Sequence, residues 1–143
     1  MTILVLGATG FIGQQVLLTL SQAGHPITGL GRDTRQVSAR FPNATWIARD
    51  LRTLRQAADW LPLLDGVTAA INCAGALQDG LRDDLVAVQR DAMLALQQAA
   101  STRATPPLLI QISAPENLAS AGTAFMATKL EADRALAASG LPC

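Results

Sequence analysis

Tyrosine is absent from this chain, and histidine and cysteine are rare. The two cysteines, Cys73 and Cys143, lie far apart and lack metal-ligand spacing, which excludes a disulfide framework and predicts no metal site. Two reduced thiols are usual in a cytoplasmic protein, so we expect that location. His25 is the one histidine. No nucleophile or carboxylate lies near it in sequence, so we interpret it as a surface turn residue and not a catalytic base.

An excess of charge of one sign and long apolar runs are also missing. Eleven basic and eleven acidic residues give a formal net charge of zero, which argues against a nucleic-acid partner. No stretch of about eighteen apolar residues occurs, so no membrane-spanning helix is expected. The N-terminus has no basic leader and its apolar run breaks at Gly7, so we expect no signal peptide.

Short apolar strands and helical patterns alternate along the chain, half of which is hydrophobic. This alternation predicts the α/β class, with a doubly wound parallel sheet of at least five strands buried on both faces. One domain over residues 1–143 is expected. Such sheets have about six strands, so the chain is expected to stop before or within the sixth. The predicted strands are Thr2–Leu6, Ile27–Leu30, Thr45–Ala48, Ala69–Cys73 and Leu108–Ile112, and the predicted helices are Phe11–Ala23, Thr34–Phe41, Leu54–Leu61, Arg82–Ser101 and Ala124–Ser139.

A glycine-rich turn follows the first predicted strand. The segment Gly7–Gly13, with the sequence GATGFIG, comes directly after the apolar run Ile3–Leu6 and opens a helical pattern. Glycine lets the backbone approach a phosphate closely, and a helix N-terminus offers N–H groups and a positive dipole end to an anion. We interpret the segment as a pyrophosphate-binding turn, although its first two glycines are spaced one residue wider than in the common fingerprint. The alternative is a strand-to-helix turn that needs glycine for steric reasons alone.

The end of the second strand indicates which dinucleotide binds. A carboxylate there binds the adenosine ribose of NAD, whereas a nearby arginine accommodates the extra phosphate of NADP. Gly31 occupies the acidic position and Arg32 follows it. Because a guanidinium pairs with a phosphate through two parallel hydrogen bonds, we expect NADP. Two alternatives stay open: Arg32 is solvated while Asp33 caps the second helix, or Asp33 reaches the ribose and NAD binds.

Two later strands end in residues that suit a nucleotide cleft. Asp50 follows the third strand on the ligand side of the sheet, where it can accept from an adenine amino group or cap the next helix. After the fourth strand, Asn72–Ala76 contains small residues that let a ligand pass close to the backbone. A tight turn is a compatible interpretation of the same segment.

Together these segments resemble the short-chain dehydrogenase/reductase superfamily, in its extended or atypical branch. That branch includes NAD-dependent epimerase/dehydratase-like, NmrA-like and complex I 39 kDa subunit-like proteins. The resemblance covers nearly the whole chain and implies a Rossmann fold, an NADP or NAD cofactor, and a substrate-binding part that is absent from these residues. It implies that Gly7, Thr9, Gly10, Phe11, Ile12 and Gly13 line the pyrophosphate, that Asp50 and Leu51 contact adenine, and that Ala74, Gly75 and Ala76 pass along the adenosine-side ribose and diphosphate.

The catalytic part departs from the family pattern of a serine, a tyrosine and a lysine four residues after the tyrosine. Ser113 fits the serine position and Lys129 the lysine position, but Phe125 stands where the tyrosine is expected. Lysine can still hold the nicotinamide ribose, so the resemblance implies an intact cofactor site without its main proton donor. Glu116 is an alternative acid if it is partly desolvated, and a solvated loop glutamate is the simpler interpretation.

Two function hypotheses follow from this pattern. The first is the cofactor-binding domain of an NADP-preferring oxidoreductase or epimerase-like enzyme that acts on a small molecule. The second is a dinucleotide-binding sensor or structural subunit without turnover, which Phe125 favours. The resemblance also implies that helices Arg82–Ser101 and Ala124–Ser139 can pair across a homodimer.

Overall fold

A five-stranded parallel sheet forms the centre of the computed structural model, which describes residues 1–75, 84–115 and 122–143. Its strand order is β3-β2-β1-β4-β5, and every neighbouring pair is parallel. The order reverses between β1 and β4, which confirms the doubly wound sheet. Open α/β sheets bind ligands at this point of reversal. The strands are β1 (Thr2–Leu6), β2 (Ile27–Gly31), β3 (Thr45–Ala48), β4 (Val67–Asn72) and β5 (Leu108–Gln111).

The helices lie on both faces of the sheet because successive residues of each strand point to opposite sides. Leu4 and Leu6 of β1 belong to one apolar cluster, which includes Trp60 and Met93, whereas Val5 belongs to the other. The described helices are α1 (Phe11–Gln22), α2 (Arg35–Arg40), α3 (Ala57–Trp60), α4 (Ala92–Ser101) and α5 (Ala124–Ala138). None of the helices in the described ranges is long and apolar enough to cross a membrane.

Two predicted helices differ in the structure. The predicted helix Leu54–Leu61 is wrong in extent: 3₁₀ turns at Leu51–Thr53 and Leu61–Leu64 flank the short α3. Trp60 explains part of this break, because it is fully buried and its indole Nε1 donates to the Leu54 carbonyl at 2.9 Å. The predicted helix Arg82–Ser101 starts outside the described residues, and its segment Val86–Asp91 is π-helical before α4 begins.

The edge strands are less buried than the sequence predicts. Central residues such as Leu4 and Leu30 are fully buried, but Leu108 and Ile110 of β5 are each 40% exposed. The expectation of strands covered on both faces therefore holds for the middle of the sheet and is wrong for its edges. Beside β5, the N–H of Leu109 donates to the carbonyl of Pro142 at 2.8 Å, so the chain after α5 returns along this edge.

Candidate functional site

An open cleft of ≈ 160 Å³ lies at the carboxyl ends of β1, β2, β3 and β4. Each of these strands ends in a turn at the same end of the sheet. The cleft also lies at the point where the strand order reverses between β1 and β4. The residues that line it are Gly7, Thr9, Gly10, Leu30, Gly31, Arg32, Arg49, Asp50, Leu51, Cys73, Ala74, Gly75 and Val88.

The turn after β1 packs directly against the turn after β4. Gly7 has a φ of 66°, and a Cβ atom there would lie 2.7 Å from the backbone N and Cα of Ala74. Among the glycines in the described parts of the chain, Gly7 alone combines this left-handed conformation with so close an approach. The N–H of Gly10 donates to the Gly7 carbonyl at 2.9 Å, and Gly10 is the N-cap of α1. The first N–H groups of α1, which lack partners inside a helix, therefore start at the wall of the cleft.

Three residues of the predicted pyrophosphate turn lie outside the cleft lining. Gly13 is buried beneath the turn, where a Cβ atom would lie 2.2 Å from the Gly7 carbonyl oxygen. The side chains of Phe11 and Ile12 are 85% and 47% exposed, so only their backbone belongs to the start of α1. Ala76, the last predicted residue of the adenosine side, lies outside the described residues.

Asp50 performs the capping role that its sequence position allowed, and it also lines the cleft. Its Oδ1 accepts the backbone N–H of Arg52 at 3.0 Å and so caps the turn Leu51–Thr53. Its Oδ2 accepts from the Arg52 guanidinium at 2.9 Å and 2.6 Å. These hydrogen bonds hold the pKa of Asp50 below its usual value, so the carboxylate is ionised where it lines the cleft.

A second hollow of ≈ 430 Å³ adjoins the cleft and is lined by Thr9, Arg32, Asp33 and Arg52. Asp33 faces Arg35, whose guanidinium donates to Oδ1 at 3.0 Å and to Oδ2 at 2.7 Å. This pairing lowers the pKa of Asp33 to about 2. The prediction that Asp33 is the N-cap of the second helix is wrong by one residue. Thr34 is the N-cap of α2, and Asp33 accepts the Arg35 backbone N–H at 3.2 Å.

Arg52 belongs to this hollow, although the sequence reasoning did not single it out. A usable signal was present, because Asp33-Thr34-Arg35 and Asp50-Leu51-Arg52 share the pattern Asp-x-Arg after neighbouring strands. In both, the carboxylate accepts the backbone N–H and the guanidinium of the residue two positions later. The two aspartates thus have arginine partners, and Arg32 and Arg52 both border the hollow.

Gly31 leaves no room for a side chain between β2 and the glycine turn. A Cβ atom at this position would lie 2.7 Å from Cγ2 and 2.9 Å from Oγ1 of Thr9. A carboxylate at position 31 would therefore displace Thr9 from the cleft. The structure thus gives a steric reason for the missing acidic residue at the end of β2.

The fourth strand contributes a thiol and a positioned turn. Cys73 lines the cleft, and burial raises its pKa to about 11, so the thiol is protonated at neutral pH. The side chain of Asn72 is buried, with Nδ2 donating to Gln111 Oε1 at 3.0 Å and Oδ1 accepting the Ala74 N–H at 2.9 Å. Asn72 therefore holds the cleft-lining turn after β4 against β5.

Comparison with known proteins identifies the family that shares this arrangement. The model of the NAD dependent epimerase/dehydratase family matches residues 3–138. The chain belongs to this family. The resemblance to the extended short-chain dehydrogenases/reductases is thereby confirmed.

Solved structures show the same fold at low sequence identity. The Bordetella bronchiseptica enzyme WbmG, solved with NAD, has a TM-score of 0.78 and 20% identity over 99% of this chain and 51% of its own. The Thermotoga maritima UDP-glucose 4-epimerase has a TM-score of 0.76 and 16% identity over 97% of this chain and 51% of its own. Yeast methylglyoxal/isovaleraldehyde reductase Gre2, solved with NADPH, has a TM-score of 0.76 and 15% identity over 95% and 52%. This epimerase/dehydratase-family chain spans about half the length of these structures.

Neither of the residues at the predicted serine and lysine positions lines the described cleft. Ser113 is exposed just after β5, and its hydroxyl donates to the carboxylate of Asp133 in α5. Lys129 is only 6% exposed, and this burial lowers its pKa, while the negative charge of Asp133 acts in the opposite direction. Phe125 lies one helical turn before Lys129. Glu116, the alternative acid, lies outside the described residues.

Proposed function

We propose that this domain binds a nicotinamide dinucleotide in the cleft, favours NADP(H), and is the cofactor-binding part of a cytoplasmic oxidoreductase or epimerase-like enzyme. The observation that carries the proposal is the hollow beside the cleft. Arg32 and Arg52 line this hollow, and Thr9 leaves no room for a side chain at position 31. When bound, the cofactor supplies a nicotinamide ring that takes or gives a hydride. The solved relatives support the cofactor class, since WbmG was solved with NAD and Gre2 with NADPH.

The glycine turn suits the diphosphate of such a cofactor. Gly7, Thr9 and Gly10 line the cleft at the start of α1, whose N–H groups and dipole favour an anion. Asp50 and Leu51 line the wall beyond β3, where the carboxylate can accept from an adenine amino group. Ala74 and Gly75 line the wall beyond β4, and their small size leaves space for a ribose.

The charges around the hollow favour a phosphate on the adenosine ribose. NAD binding in this fold uses a carboxylate at the end of β2, and a side chain at position 31 would collide with Thr9. The nearby carboxylate of Asp33 is held by Arg35 in two hydrogen bonds. Arg32 and Arg52 border the hollow, where guanidinium groups can bind a phosphate dianion through planar N–H donors, and Arg52 also donates to Asp50.

The test is a titration of the purified chain with NADPH and with NADH, followed by nicotinamide fluorescence. We expect NADPH to bind more tightly, and Arg32→Ala to weaken NADPH binding about tenfold or more while NADH binding changes little. Arg103→Ala is the matched control. The Arg103 guanidinium lies 3.7 Å from the carboxylate of Asp65, which precedes β4 at the amino ends of the strands. The cleft lies at their carboxyl ends, so this variant should leave both affinities unchanged.

Two results would contradict the proposal at different levels. Equal losses for NADPH and NADH in Arg32→Ala would refute the phosphate assignment and leave dinucleotide binding standing. Binding of neither dinucleotide at high micromolar concentration would refute the cofactor site itself.

Phe125 favours a second candidate, a dinucleotide-binding sensor or structural subunit without turnover. Phenylalanine has no proton to exchange at the position where the family has its tyrosine. In this candidate Lys129 and Ser113 hold the nicotinamide end of the cofactor and no chemistry follows. Both candidates use the same cleft, so the titration above tests the part that they share.

A further inference from the structure

Asp133 is a carboxylate inside the fold for which neither function candidate has a use. It lies in α5 and is half-buried, and its Oδ2 accepts the hydroxyl of Ser113. Its Oδ1 is the one buried side-chain oxygen or nitrogen in the described ranges that has no hydrogen-bond partner. Because buried polar atoms are rarely left without a partner, this carboxylate needs a reason to be there.

Lys129 supplies part of that reason. It lies four residues before Asp133 in α5, a spacing that places both side chains on one face of the helix. Lys129 is 6% exposed, and a buried ammonium is costly unless an opposite charge compensates it. Burial lowers the pKa of Lys129, and Asp133 is the charged group that raises it.

We propose that Asp133 is a positioning residue of the nicotinamide end: its carboxylate holds the Ser113 hydroxyl in one orientation and keeps Lys129 charged. The proposal rests on the proposed function only for the identity of the ligand. Asp133 acts through its two neighbours and need not touch the ligand.

The Ser113 contact also decides which hydrogen bonds Ser113 can make to a ligand. A hydroxyl has one proton, and an ionised carboxylate can only accept. Ser113 gives that proton to Asp133, so only its lone pairs face outward. The group that meets Ser113 is therefore a hydrogen-bond donor, such as a hydroxyl or the N–H of an amide.

The charged side chains that end the neighbouring π-helical segment have partners of their own. Arg90 and Asp91 belong to the π-helical segment that packs against α5, and they pair with each other at 2.9 Å. Arg90 also approaches Glu131 of α5 at 3.7 Å. Glu131 is exposed, and Glu131→Gln removes the same charge as Asp133→Asn from the same helix, so it is the matched control.

The experiment follows the titration of Lys129 by NMR in the full chain labelled with ¹³C-lysine. Lys129 is the only lysine in the sequence, so its Cε gives a single signal. We expect Asp133→Asn to lower the midpoint of this titration by about one pH unit or more, since an opposite charge is lost. Asp133→Glu should restore the midpoint, and Glu131→Gln should leave it near that of the wild type.

A second measurement tests the role of Asp133 toward Ser113 separately from its role toward Lys129. Three-bond couplings report the χ1 rotamer of Ser113. Asparagine still offers an oxygen acceptor, so Asp133→Asn should keep one rotamer, whereas Asp133→Ala should average several. A Lys129 midpoint that falls equally in Asp133→Asn and Glu131→Gln, or stays unchanged in both, overturns the charge role. A single Ser113 rotamer in Asp133→Ala overturns the orienting role.

A double variant tests the proposal if Asp133→Asn fails to fold. The double variant Lys129→Met/Asp133→Asn removes both charges and should then fold, because no lone buried ammonium remains. A double variant that also stays unfolded overturns the proposal. None of these readouts involves a dinucleotide, so failure to bind NADPH would contradict the proposed function alone.

Discussion

At the residue scale, a glycine of the turn after β1 and a glycine of the turn after β4 have opposite surroundings. A Cβ atom at Gly13 would lie 2.2 Å from the Gly7 carbonyl oxygen, so α1 packs on the turn at backbone contact. A Cβ atom at Gly75 would have nothing within 4 Å, and Gly75 lines the cleft. The first glycine thus serves packing, and the second leaves open space in the cleft.

We expect the matched substitutions Gly13→Ala and Gly75→Ala to separate stability from binding. Gly13→Ala should lower the free energy of unfolding by about 3 kcal/mol or more, because the methyl group overlaps the turn. Gly75→Ala should change that free energy by less than about 0.5 kcal/mol and weaken NADPH binding by narrowing the cleft. Urea denaturation and fluorescence titration measure the two effects. Equal stability of the two variants would show that α1 can move away from the turn at little cost.

At the element scale, α5 presents Phe125, Lys129 and Asp133 at intervals of four residues along one face. The start of this helix is fixed by Thr123, whose hydroxyl oxygen accepts the Met126 N–H at 3.2 Å. The cap therefore sets where the first turn of α5 lies, just ahead of Phe125.

Loss of this cap should destabilise the protein by an amount typical of helix N-caps. We expect Thr123→Ala to lower the free energy of unfolding by about 1 kcal/mol, measured by urea denaturation. Thr123→Ser keeps the capping oxygen and should lie close to the wild type. If serine and alanine cost the same, the methyl group of Thr123 and not its oxygen stabilises the start of α5.

At the scale of the whole molecule, the cleft is built from the ends of four strands that are far apart in sequence. A ligand that fills it would contact the turns after β1, β2, β3 and β4 together, and these turns meet only in the folded chain. Binding to the native state alone stabilises it by an amount set by ligand concentration over Kd.

We expect NADPH at one hundred times its Kd to stabilise the chain by about 2.7 kcal/mol and to raise its Tm by several degrees. NADH at the same concentration should raise the Tm less, because it lacks the phosphate assigned to the hollow. Differential scanning fluorimetry measures both shifts. Equal shifts would contradict the NADP preference, and an unchanged Tm with both dinucleotides would contradict the cleft assignment.

The strands were predicted to within about two residues because each is a short apolar run next to glycine or polar turn residues. β4 starts at Val67, two residues before the predicted start, and β5 ends at Gln111, one residue early. The region after β3 was predicted less well. There the Asp50 cap and buried Trp60 impose 3₁₀ turns that an apolar period alone does not reveal.

The sequence by itself determined the order of strands and helices, the glycine turn, and the pair Gly31-Arg32 after β2, because these are local patterns. Only the tertiary structure decided which strand ends meet. It brought Thr9 against Gly31, Arg52 beside Arg32, and Asp133 against Ser113. These contacts join residues that are distant in the chain. They exist because β1, β2 and β3 are neighbours in the sheet, and because Asp133 of α5 meets the segment that follows β5.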